Sequence, residues 1–167
     1  MEAAGSAVDG RQAGAVDGKD ALRLWLRLLT CTNLIESRIR TLLRTRFDTT
    51  LPRFDMLAAL DRAPRGLTMG ELSHRLLVSQ GNVTNVARRL EADGLIIKVP
   101  SPADRRSQIV SLTDRGREWF ASLARQHEIW LADMFQSLEA DDIESLTQAI
   151  ATARQAVENS VKPGESG

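Results

Sequence analysis

The chain has 167 residues, 43% hydrophobic and 26% charged, enough for one compact core with helical extensions. Its single cysteine, Cys31, excludes an internal disulfide and suggests a reducing cytoplasm, and the lack of any apolar run of about 18 residues leaves no membrane-spanning helix to expect. The zero net charge hides a polarity: residues 36–106 hold thirteen Lys/Arg against eight Asp/Glu, and residues 116–167 hold four against nine, so a polyanion would sit on the middle of the chain.

Residues 1–19 lack the apolar stretch of a signal peptide and are expected to form a disordered tail. From Asp20 to about Phe47 apolar residues recur every three or four positions, without Gly or Pro, which predicts one long helix. At about 1.5 Å per residue it runs about 40 Å, more than one small core can cover, so its excess length is expected to pack on a second chain. Pro52 opens a short helix through about Arg62. Thr68 and Glu71 then match a capping box, starting a helix that ends near Leu77. Ser79 is the next N-cap, and two short helices on so tight a connection form a helix-turn-helix. GLIIKVP and SQIVSLT, residues 94–100 and 107–113, are expected to pair as a two-stranded hairpin around the loop SPADRR. Thr113 caps another long helix from Asp114 to about Leu138, and a last helix runs from about Asp141 to Val161.

The stretch SQGNVTNVARRLEADGLI, residues 79–96, opens with residues that suit a helix interior poorly. On a helical wheel Val83, Val86, Ala87 and Leu90 share one side, while Gly81, Asn85 and Arg88 lie opposite, flanked by Asn82, Thr84 and Arg89. Asn and Gln can pair bidentately with adenine, Arg with guanine, and the Thr methyl meets the methyl of thymine. Gly81 leaves the backbone free to approach a phosphate. Gln80, Gly81, Asn82, Thr84, Asn85 and Arg88 are therefore expected at the major groove, with Ser79 and Arg89 near the DNA backbone, and Thr68 is also expected among the DNA-binding residues. In the hairpin loop, Arg105 and Arg106 suit a narrow minor groove, and Asp104 is placed to orient an arginine.

Asp104-x-Arg106, five residues, then Leu112-Thr113-x-x-Gly116 resembles the wing signature of the MarR family of transcription regulators. TMGELSHRLLVSQGNVTNVARRLEADGLI and the flanking long helices match that family's order, over about residues 20–160. The resemblance implies a mainly α fold with a small β-hairpin wing, a winged helix-turn-helix flanked by long dimerisation helices. Its segments would be 20–50 for the first dimerisation helix, 51–113 for the DNA-binding lobe, 114–161 for the C-terminal dimerisation helices and 162–167 for a tail. It further implies a homodimer on double-stranded DNA with a near-palindromic operator, a ligand-relieved repressor whose effector sits where the dimer helices meet the lobe.

For such an effector the chain offers Arg38, Arg40, Arg44, Arg46 and Arg53 toward a carboxylate or phosphate. Phe54, Met56, His127 and Trp130 would supply an apolar wall and a polar contact. RTRFDTTLPRFDMLAAL is similar to regulators of aromatic-acid breakdown, which implies an aromatic acid or its CoA thioester as ligand. Two rival readings stand beside this one. Some relatives of the family sense peroxide through a cysteine in the first helix, supported by tyrosines; this chain has no tyrosine, and Cys31, among apolar neighbours, is expected buried and inert. A winged-helix adaptor without DNA binding is the other. Catalysis is not expected: His74 and His127 lie on different helices without HExxH or CxxC context, and no phosphate-binding glycine loop or metal-ligand cluster occurs. No cofactor, metal or membrane partner is expected.

Overall fold

A computed structural model describes residues 16–102 and 107–161. Its order is α1 (Gly18–Phe47), α2 (Leu51–Asp61), β1 (Leu67–Thr68), α3 (Met69–Leu76), α4 (Gln80–Ala92), β2 (Ile96–Pro100), β3 (Gln108–Leu112), α5 (Asp114–Phe135) and α6 (Ala140–Val161). Each expected element is present, with ends within three residues of those expected. One strand was not anticipated. β1 pairs antiparallel with β3, Leu67 opposite Val110, so the expected two-stranded hairpin is the larger part of a three-stranded sheet ordered β1-β3-β2.

Local chemistry sets the helix ends. Asp17 accepts a hydrogen bond from the Lys19 N–H and starts α1, which stops where Asp48 turns left-handed at φ 47°. The Thr68–Glu71 capping box forms in both directions, and its hydrogen bonds hold the Glu71 carboxyl below its usual pKa. Ser79 and Thr113 cap α4 and α5.

Met56, Leu57, Leu72, Val83, Leu90, Val110 and Leu123 are completely or almost completely buried, one core shared by α2, α3, α4, the sheet and α5. From α1, Ile39 and Leu43 are buried in it, and Ile35, Leu42 and Phe47 pack against it. The wing signature acts at the seam between sheet and α5. Thr113 donates to the Gly94 carbonyl at 2.7 Å and accepts from the Gly116 N–H at 3.0 Å. Gly116 lies against the Leu95 carbonyl so closely that a Cβ there would stand 1.9 Å from its oxygen. Only glycine fits.

Leu22, Trp25 and Leu26 on α1, and Ile143, Leu146, Ile150 and Val157 on α6, are all at least 40% exposed. No described residue of a single chain covers their periodic apolar faces, which agrees with the expected use of α1's excess length.

Candidate nucleic-acid interface and flanking grooves

The faces of α4 divide as its periodicity dictates. Val83, Ala87 and Leu90 are buried and Val86 is half-buried, while Gln80, Gly81, Asn82, Thr84, Asn85, Arg88 and Arg89 are exposed together. Ser79 caps the helix by accepting from the Asn82 N–H at 3.4 Å. Arg88 donates to the Asn85 side-chain oxygen at 3.1 Å, so guanidinium and amide are held as one unit. Thr84 donates its hydroxyl proton to the Gln80 carbonyl at 2.8 Å, leaving its methyl and acceptor lone pairs outward. A Cβ built on Gly81 would meet nothing within 4 Å. The fold therefore has no need of glycine there, and the residue suits close approach by something outside the chain.

Thr68 is further from that role. Its hydroxyl accepts from the Glu71 N–H and donates to the Glu71 carboxylate, so both functions serve the cap. Asp104, Arg105 and Arg106 lie outside the described residues.

The expected effector residues do not form one site. Arg38 and Arg46 line a groove of about 730 Å3 between α1 and α5, with Phe47, Trp130 and Met134 as its apolar wall and Asp133 at its rim. Phe47 and Trp130 meet edge to face, centroids 5.9 Å apart. Arg40 and Arg44 lie on another side of α1, because two and six residues on from Arg38 correspond to rotations of about 200° and about 240°. They line a separate groove of about 350 Å3 at the α1–α2 elbow. Arg53 joins neither: it is ion-paired to Asp93 at the end of α4. Phe54 packs on Phe120 and on His127, at 5.6 and 4.5 Å between ring centroids, and burial pushes the His127 imidazole below its usual pKa despite the opposing charge of Glu128. Met56 is fully buried. Phe54 and Met56 thus belong to the core, Met56 also flooring the groove between α1, α2 and α4, and the half-buried His127 packs on Phe54 at the edge of that core.

A third groove, about 440 Å3, lies between α1, α2 and α4. Glu36, Arg40 and Asp55 face Asn82 and Asn85 across it. Glu36 and Arg40 are paired at 2.6 Å. Burial first, and the Glu36 charge second, push the Asp55 carboxyl from 3.8 up to about 6, with Arg40 opposing. Sequence reasoning passed over Asp55, although a carboxylate between the core positions Phe54 and Met56 was the available signal. Cys31 is exposed in the single chain, contrary to expectation, because the apolar residues beside it on α1 have no cover of their own. Among the described residues no three His, Cys, Asp or Glu side chains gather in a way that could hold a metal ion, and no helix is long and apolar enough to cross a membrane.

Known proteins carry the same arrangement. A family model described as the MarR family matches residues 47–107, from the end of α1 into the wing. An uncharacterized HTH-type transcriptional regulator of Bacillus cereus is 35% identical over 120 residues, which are 72% of this chain and 75% of that one. The chain belongs to the MarR family. The transcriptional activatory protein BadR of Rhodopseudomonas palustris is likewise 35% identical, over 66% of this chain, and the match spans just under two thirds of BadR's length, 65%. The crystal structure of Streptococcus pneumoniae FabT in complex with DNA superposes with a TM-score of 0.68 at 25% identity, covering 83% of this chain and 98% of FabT. Both sequence relatives are named as regulators of transcription, and FabT was seen with DNA.

Proposed function

We propose that this MarR-family chain is a cytoplasmic, homodimeric regulator that reads a near-palindromic operator and is released from it by an aromatic carboxylate or its CoA thioester. The observation that carries the DNA reading is the exposed face of α4, where Gln80, Asn82, Thr84, Asn85, Arg88 and Arg89 present side chains of base-reading or phosphate-binding type, with Gly81 among them, on a helix whose other face is buried. Residues 51–113 form the reading lobe, with Gln80, Asn82, Asn85 and Arg88 toward base edges, Ser79 and Arg89 toward the backbone, and Arg105 and Arg106 toward the minor groove. Segments 20–50 and 114–161 hold the two copies together, a role supported by the uncovered apolar faces of α1 and α6. FabT, seen with DNA, supports the same use of the lobe.

The effector's place is the α1–α5 groove. Arg38 and Arg46 offer guanidinium groups for a carboxylate, and the Phe47–Trp130 pair offers an aromatic wall. The reading as a repressor follows from release on ligand binding; BadR is named an activator, so the sign is part of the test.

The experiment is fluorescence anisotropy with duplex DNA from upstream of the chain's own gene, at fixed salt, with benzoate, hydroxylated benzoates and benzoyl-CoA as candidate effectors. Competitor-resistant binding released by one of them, and insensitive to it in Arg38→Gln, is the expected result. Specific binding released by none of them discards the effector class. Absence of specific binding across operator-selection libraries would give the lead to a protein-interaction role.

A further inference from the structure

The elbow between α1 and α2 carries polar groups for which the fold has no use. Thr49 is 3% exposed, and its hydroxyl oxygen is buried without a hydrogen-bond partner. A hydroxyl in that position has lost its hydration and gained nothing in return. On packing grounds valine would serve better. Thr49 lines the 350 Å3 groove together with Arg40, Arg44, Thr50 and Ser37.

The start of α2 forms one end of that groove. This helix has 11 residues, its N-cap Thr50 makes no side-chain cap hydrogen bond, and its first turn holds no acidic residue. Its positive end is left uncompensated. Arg44 is exposed and, among the described residues, has no ion-pair partner. Arg40 gives one nitrogen to Glu36 at 2.6 Å and keeps its other donors. Thr41 donates to the Ser37 carbonyl and offers the groove no proton. The available donors are thus two guanidinium groups, the Thr49 and Thr50 hydroxyls and a helix N-terminus.

We propose that this elbow binds a phosphate group carried by a small molecule. Donors of this number and spread exceed what the two oxygens of a carboxylate can use, and they suit the three terminal oxygens and double charge of a phosphomonoester. The site lies on the far side of α1 from Arg38 and Arg46 and is distinct from the aromatic groove. Arg40, Leu51 and Pro52 continue from it into the groove that ends at Asn82 and Asn85 of α4. A ligand tying α1 to the start of α2 would therefore fix the lobe against the long helix. That regulatory consequence rests on the DNA-binding reading above; the binding itself does not.

The test is thermal shift and calorimetry on the full chain with inorganic pyrophosphate and adenosine 3′,5′-bisphosphate, at constant ionic strength, with acetate and chloride as controls. Both phosphate compounds should raise the Tm and the controls should not. Arg44→Gln should weaken binding about tenfold or more. Thr49→Val should weaken it several-fold while leaving the unliganded Tm unchanged or raised, a pairing that a purely structural Thr49 would not produce. Arg38→Gln should leave it unaltered. The proposal is overturned if neither compound shifts the Tm, or if the shift survives undiminished in both variants. It is equally overturned if phosphate compounds fail to bind while Arg44→Gln lowers affinity for the upstream duplex and reduces its salt slope by about one, which would make the elbow a DNA-backbone contact. Phosphate binding by a chain that binds no DNA would sink the regulator reading and leave this site standing.

Discussion

The lobe and the long helices follow the same apolar periodicity and meet opposite fates. In the lobe, Met56, Leu57, Leu72, Leu90 and Val110 are sealed by one another. On the first half of α1 and along α6, residues spaced just as regularly stand in solvent. Periodicity thus says which face of a helix is apolar and leaves open what covers it. The apolar faces of the lobe are closed within the chain, whereas those of the outer part of α1 and of α6 stand exposed, so damage to the two should show in different measurements.

The largest effect should come from the seam that closes the lobe. Gly116→Ala places a Cβ 1.9 Å from the Leu95 carbonyl oxygen, a backbone atom that cannot swing aside. We expect a loss of about 5 kcal/mol, comparable with a small domain's whole stability, seen as a collapsed urea midpoint or insoluble expression. A midpoint within experimental error of the parent would show that α5 can slide away from the wing.

Next in size is a break confined to the long helices. Ile150→Glu with Leu146→Glu puts charge into the uncovered α6 face; if a second copy covers it, the interface loses on the order of 3–5 kcal/mol. Light scattering should then report the mass of one chain where the parent gives two, while the core amides of α2, α3 and α4 keep their hydrogen-exchange protection. Should both proteins run as single chains, α6 is covered by something other than a copy of this chain.

Much of this contrast could be read beforehand. The caps at Thr68, Ser79 and Thr113 were legible because each rests on a residue and its neighbour three positions on, and the two faces of α4 because they depend only on a period of 3.6. β1 was not: at two residues it has no pattern of its own and exists through its pairing with β3. Cys31 was misjudged because apolar sequence neighbours imply burial only where a partner surface exists within the chain. The arginines of α1 were visible, and their division between two grooves is a matter of helical phase, but Phe54 and the half-buried His127 turned out to be occupied with each other. The unpaired Thr49 hydroxyl had no sequence signature at all; only the folded elbow removes its water.

A surface change on α4 should leave stability alone and move affinity. Arg88→Ala removes a guanidinium already oriented by Asn85 and should cost about 1–3 kcal/mol of binding to the upstream duplex if it reads a base. That loss should be larger on the specific duplex than on a scrambled one. An equal loss on both would move Arg88 from base edge to phosphate.

The smallest effect tests where lobe and long helix touch. Asp55 on α2 faces Glu36 and Arg40 of α1, and its carboxyl is raised from 3.8 to about 6, by burial first and by Glu36 second. The folded state therefore holds this proton more tightly than the unfolded chain does. Stability from this group is present below about pH 4, falls as pH rises toward 6, and is absent above it, where a half-buried carboxylate must stay charged. Asp55→Asn should accordingly raise stability by about 1–2 kcal/mol at pH 7.5 and by almost nothing at pH 4. Glu36→Gln should reproduce a fraction of that gain, since it removes the second cause and leaves the first. Urea midpoints at the two pH values decide it: an equal gain at both would assign the effect to packing, and no gain at either would mean that the groove between α1 and α2 is wetter than its geometry implies.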